Sequence, residues 1–181
     1  MRNLDKSILG IFVRYIILLA TAFPNLWIFY LIFTPLTVYP VYFLLKIFFG
    51  VSLISQIVIL VGQTIPIEII EACVAGSAYY LLLILNLTTG KIKTKTRVYM
   101  ILFAFLSFLI VNIIRIFLLS LLAISGSSFF DITHIVFWYF ISTIFVVAIW
   151  FIQVKIFRIK EIPLYSDIKS LYIQATAKKK K

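Results

Sequence analysis

The chain has 181 residues, of which 64% are hydrophobic and 17% aromatic, with a mean hydropathy of +1.15, a formal net charge of +11 and a single cysteine. That much apolar surface exceeds what one core of this length can hide, so a water-soluble globule is excluded, and the lone thiol excludes an internal disulfide. The apolar stretches run for roughly 17 to 26 residues without period-2 alternation, which predicts spanning helices and excludes a membrane barrel.

The first run, about 8–33, follows Arg2 and Lys6 and contains Ala20-Thr21-Ala22, which imitates a signal-peptide cleavage site. Hydrophobicity continues through Leu26, Trp27, Ile28, Phe29 and Tyr30, so the run reads as an anchor, kinked at Pro24, with Trp27 and Tyr30 in an interfacial belt. Over 35–71, Pro35, Pro40, Lys46, Gly50, Gly62 and Pro66 interrupt the pattern, and the segment is expected outside the membrane. Within it, 41–49 predicts an amphipathic surface helix, and the β-branched runs 56–61 and 65–70 around Gly62-Gln63-Thr64 predict a hairpin. The alternative packs two further crossings into this stretch, and either version leaves Cys73 on the same side.

Three further spans are expected at about 72–89, 98–124 and 132–157. The first connection carries Lys91, Lys93, Lys95 and Arg97, whereas the second, Ser125-Gly126-Ser127-Ser128, has no cation. Grouping the N-terminus through Arg14 and the chain from Lys155 onward, with its tail 158–181, with the basic loop leaves only Lys46 and Arg115 of the seventeen Lys and Arg residues elsewhere, and by the positive-inside rule the basic side is cytoplasmic. The expected fold is thus one all-α integral membrane domain over 1–181, a bundle of about four transmembrane helices with an outer-face amphipathic helix and hairpin before the Cys73 helix. Topology and anionic headgroups account for the charge, so no nucleic-acid partner is implied. Asn86-Leu87-Thr88 matches a glycosylation acceptor but sits near the cytoplasmic end of a span.

Depth singles out three residues. At about 1.5 Å rise per residue, Cys73 lies roughly 27 Å from Lys91, Arg115 roughly 27 Å from Arg97 and His134 roughly 31 Å from Lys155. All three therefore reach the outer interface of a core about 30 Å thick. A thiol, an imidazole and a guanidinium in one layer suit a nucleophilic site. Each also has a structural reading: a single Cys at a helix end is more often a small inert side chain, and a lone His is more often hydrogen-bonded structure. Arg115 stands among apolar neighbours at a cost of about 2.5 to 3.5 kcal/mol on the lenient insertion scale, a cost commonly retained for a partner or substrate.

Glu71-Ala72-Cys73-Val74-Ala75-Gly76 at the start of a span, Asn112-x-x-Arg115-Ile116 in the next and His134 opening the last resemble the exosortase/archaeosortase family. The resemblance covers 51–150, with one departure: many members follow the Cys with Ser-Gly or Thr-Gly, where this chain has Val74-Ala75-Gly76. The short, Ile- and Lys-rich chain favours the archaeal branch. The resemblance implies a membrane-embedded cysteine transpeptidase whose partners are exported proteins carrying a C-terminal motif, a transmembrane helix and a basic tail. It implies that the enzyme cuts at the motif and passes the new C-terminus to an acceptor, in archaea a membrane lipid.

In side-chain terms, a thiol of ordinary pKa about 8.5 needs activation at neutral pH. His134 would take the Cys73 proton and later protonate the leaving amine, Arg115 would stabilise the oxyanion or thiolate, and the start of the Cys73 helix would add free N–H groups. Supporting candidates are Asn112, one turn from Arg115; Asp131, three residues before His134; and Gly76, which permits close helix packing. Glu68 and Glu71 lie near Cys73 and read as solvated. No cofactor and no metal is expected, because one His and one Cys are too few for zinc. The rival is a membrane binding or transport protein that uses Arg115 as a substrate or gating charge, with Cys73 incidental.

Overall fold

The computed structural model describes residues 2–136, 142–169 and 171–172, and the side chains of all of these but 2–8 and 131. It is mostly helical with one small sheet, in the order α1 (Arg2–Ala22), α2 (Trp27–Phe48), β1 (Val51–Leu53), β2 (Val58–Val61), β3 (Ile65–Glu68), α3 (Glu71–Val74), α4 (Gly76–Thr88), α5 (Thr94–Ile124), α6 (Phe130–Val136) and α7 (Ser142–Ile156). Among the described residues three helical stretches, Trp27–Phe48, Glu71–Thr88 and Thr94–Ile124, are long and apolar enough to cross a membrane. Leu9–Ala22 and Ser142–Ile156 are apolar but shorter. α5 exposes Leu102, Leu106, Ile110, Ile114 and Leu118, one per turn, while burying Ala104, Phe108, Asn112 and Arg115 on the other side. A helix apolar on its outer face as well as its inner one is the reverse of a water-facing helix.

Two expectations for the N-terminal third need correction. The single span over 8–33 is two helices, separated by a break in which Phe23-Pro24 is cis and Asn25 and Leu26 are left-handed (φ 48 and 60°). The stretch 41–49 is not a separate amphipathic surface helix: α2 runs unbroken through Pro35 and Pro40 to Phe48 and turns Thr37, Val38, Val41 and Leu45 into the core. Proline removes a donor and crowds the preceding turn, yet an apolar helix held by its neighbours absorbs that loss. Here Phe29 and Phe33 set edge-to-face against Phe105 of α5, and Phe48 meets Phe117, so α2 lies parallel to α5 along its length.

The hairpin forms as expected, with Val61 opposite Ile65 and Val58 opposite Glu68 across a turn in which Gly62 and Gln63 take positive φ. The sheet adds a strand that the sequence did not single out, β1, paired antiparallel to β2 with Val51 opposite Val61.

Antiparallel contacts order the rest of the bundle. α1 meets α4 where Tyr80 OH donates to Leu18 O and Arg14 Nη1 donates to Leu87 O. α5 opposes α4 through Arg97 at one end and Asn112 at the other, and opposes α7 through Gln153 and Arg115. The core is an aromatic stack: Tyr79 lies flat on Phe33 with centroids 3.6 Å apart and takes the edge contact of Phe108 at 4.9 Å.

At the basic end, where α4 stops, its last carbonyls have no helical partner. Arg97 fills the gap by donating to Asn86 O (2.5 Å), Leu87 O (2.9 Å) and Thr89 O (2.8 Å). Arg14 reaches the Leu87 and Thr89 carbonyls from α1 and pairs with the buried Asp167 at 2.8 Å. The segment after α7 thus folds back over the bundle, with the Leu164 N–H on Thr88 O at 3.0 Å. Beneath it the buried amides of Asn86 and Gln153 join, Gln153 Nε2 donating to Asn86 Oδ1 at 2.8 Å.

Candidate functional site

The expected helix opening at Cys73 is a single turn. Glu71–Val74 ends at Ala75, which is left-handed (φ 59°), and a new helix starts at Gly76. The Cys73 and Val74 N–H groups both bond to Ile70 O, at 2.8 and 3.2 Å. The expected help of a long helix's dipole beside the thiol is therefore corrected: one turn is too short for it, and the Cys73 N–H is already used within that turn.

The break has a second consequence. It leaves the carbonyls of Cys73 and Val74 without helical partners, and α5 supplies them. Asn112 Nδ2 donates to Cys73 O at 3.0 Å and to Val74 O at 3.4 Å, and Arg115 Nη2 donates to Cys73 O at 3.2 Å. Cations and amide donors are favoured at such carbonyl ends. The other arm of the guanidinium, Nη1, donates to Ser142 Oγ at 2.6 Å, so Arg115, only 4% exposed, bridges α3, α5 and α7. Asn112 and Arg115 converge on one carbonyl and hold the backbone that carries the thiol, a role different from the expected one in which Asn112 orients the guanidinium. Arg115 Nε, Asn112 Oδ1 and Tyr79 OH are buried with no hydrogen-bond partner among the described residues.

Cys73 is a free, half-buried thiol. It lines a cavity of about 80 Å³ together with His134, Glu68, Ser120 and Phe130. The imidazole is placed there by α6 and lies parallel to the Phe130 ring at 5.7 Å. Structure thus brings Cys73 and His134 to one small cavity and Arg115 to the carbonyl behind the thiol. The side chain of Asp131 lies outside the described residues. Gly76 does provide close packing: a Cβ there would come within 2.8 Å of the Tyr30 ring of α2.

On the other side of α3 lies a larger open cavity, about 490 Å³, lined by Tyr30, Glu71, Ser77, Ser142 and Thr143 among others. Ser142 belongs to it and to the Arg115 bridge, so the guanidinium stands between the two cavities. Sequence reasoning missed Ser142, which carried no signal beyond being a hydroxyl inside the last expected span. It also missed Arg14 as an internal group, since that residue was counted with the N-terminal cations. Among the described residues no three His, Cys, Asp or Glu side chains gather as metal ligands. Compared with known proteins, the chain matches no family model, no curated protein and no solved structure.

Proposed function

We propose that the chain is a membrane cysteine endopeptidase or transpeptidase of the exosortase/archaeosortase kind, acting on C-terminal sorting signals of exported proteins. The observation that carries the reading is the shared cavity of Cys73 and His134, with Arg115 bonded to the carbonyl of Cys73. In this mechanism His134 accepts the thiol proton as Sγ attacks the scissile carbonyl, and the positive charge of Arg115 favours the thiolate and the tetrahedral oxyanion. Collapse breaks the C–N bond, His134 returns the proton to the amine, and a Cys73 thioester remains. An acceptor amine or hydroxyl then attacks the thioester, giving the transferred product and regenerating the thiol; water in its place gives hydrolysis. Under the positive-inside rule the basic end faces the cytoplasm, which leaves the cavity at the outer face, within reach of a translocated chain and of membrane lipid as acceptor.

The test is a host expressing either wild type or Cys73→Ala as its sole copy, with the C-termini of exported proteins mapped by mass spectrometry. The proposal expects precursors retaining an apolar helix and basic tail to accumulate only with Cys73→Ala. Identical C-termini in both strains would refute it. A second reading has one observation in its favour: the guanidinium is already engaged by Cys73 O and Ser142 Oγ, as a purely structural bridge would be. On that reading Cys73→Ala changes nothing in the processed products.

A further inference from the structure

The basic end carries a cavity that the proposed chemistry does not use. It measures about 330 Å³ and lies between the α4–α5 connection and the turn after α7. Lys91, Lys93, Arg158 and Lys160 line it, with Glu161 as the one carboxylate among its lining residues. Lys91 is paired with that carboxylate at 3.0 Å, which leaves Lys93, Arg158 and Lys160 in excess. Two of the cations sit on backbone that side chains seldom adopt, Lys91 at φ 53° and Arg158 at φ 51°. Such strain is held only where surrounding structure imposes it, and here it turns two adjacent loops so that both contribute cations to one opening.

Three further features shape the opening. α5 starts at this opening with Lys93 as its N-cap and no side-chain cap, so the first-turn N–H groups of a 31-residue helix add positive potential. The hydrogen bonds of the clamp below, from Arg97 and Arg14 to the end of α4, hold the connection in place. The floor is apolar, supplied by Ile92, Phe157 and Ile159, and the neighbouring Ile156 and Ile162 are exposed. A polar anion with an attached apolar body suits that combination better than a free ion, and basic pockets at helix ends on the cytoplasmic side are the usual setting for lipid headgroups.

We propose that this cavity is a binding site for a phosphate ester, carried by an anionic phospholipid whose acyl chains lie along the exposed apolar flank. The phosphate oxygens accept from Lys93, Arg158 and Lys160, and the chains lie against Ile156 and Ile162. The site is independent of the Cys73 chemistry.

The experiment is native mass spectrometry of the detergent-purified chain titrated with phosphatidylglycerol, phosphatidylcholine or glycerol phosphate. The expected result is a preference of about tenfold or more for phosphatidylglycerol over phosphatidylcholine. Lys93→Gln/Lys160→Gln is expected to weaken phosphatidylglycerol binding about 25-fold, about fivefold for each cation, and Arg158→Gln alone about fivefold. Arg2→Gln/Lys6→Gln, which removes the same charge elsewhere, is expected to change it less than about twofold. All variants are checked for an unchanged thermal melt, and Arg158→Gln carries the test if the double variant fails to fold. Equal losses from the two double variants, or equal binding of the two lipids, would overturn the site. Displacement of bound lipid by equimolar glycerol phosphate would overturn the lipid assignment by showing that the soluble ester suffices; retention of the lipid supports it.

Discussion

Gly76→Ala tests whether the packing beside the candidate site is as tight as described. The added Cβ would stand 2.8 Å from Cε1 and Cζ of Tyr30, against the 3.4 Å at which ordinary contact begins, so the ring must withdraw about 0.6 Å. Overpacking of this kind costs about 1 to 3 kcal/mol. Tyr30 also borders the open 490 Å³ cavity, into which the ring can swing, so the cost belongs near the lower end, about 1 to 2 kcal/mol. The assay is a double-mutant cycle with Tyr30→Ala, read by denaturation of the detergent-solubilised protein. Gly76→Ala should cost that amount when Tyr30 is present and nearly nothing when it is absent, a coupling of about 1 kcal/mol or more. A coupling near zero would refute the contact, whatever the two single variants do.

Arg97→Met should be among the most destabilising single changes. It removes three charged hydrogen bonds, and although Arg14 still serves Leu87 O and Thr89 O, Asn86 O loses its cation, for a net loss of about 3 kcal/mol in a denaturation titration. Arg115→Lys keeps the charge but cannot span Cys73 O and Ser142 Oγ with one planar fork; C-terminal processing should fall by about tenfold or more while the fold survives. Hydrogen bonds from Ser166 and Lys91 hold the Glu161 carboxyl below the usual carboxylate range. A depressed carboxylate contributes stability above its unfolded value and loses it as pH falls through the folded one, so hydrogen exchange over 161–166 should rise as the solution is acidified below about pH 4, and Glu161→Gln should abolish that pH dependence.

Helices whose hydrophobic runs are long and uninterrupted were legible: α5 extends only four residues beyond the expected start, and the hairpin follows from β-branched runs around Gly62. What misled was proline. Pro24, read as a kink, ends a helix, whereas Pro35 and Pro40, read as interruptions of the hydrophobic pattern, lie inside one. Local chemistry is the same in all three, and the difference is packing: Phe33, Val41 and Leu45 bury against neighbours that no window of sequence contains. Ala75 is similarly illegible, because left-handed backbone is signalled by glycine and here an alanine adopts it. Cys73, Arg115 and His134 could be chosen by rarity and depth, but their connections could not. Asn112 was placed correctly one turn from Arg115, yet its partner is a carbonyl exposed only because α3 stops.

The tie between Arg14 and Asp167 joins positions 153 residues apart. Arg14 leaves the ribosome 153 residues before Asp167, so until that carboxylate emerges the guanidinium has only the carbonyl oxygens of Gly10, Leu87 and Thr89 to bond. Closing the latch therefore follows synthesis of every helix between the two residues, and a chain cut before residue 167 leaves the Arg14 charge without its carboxylate.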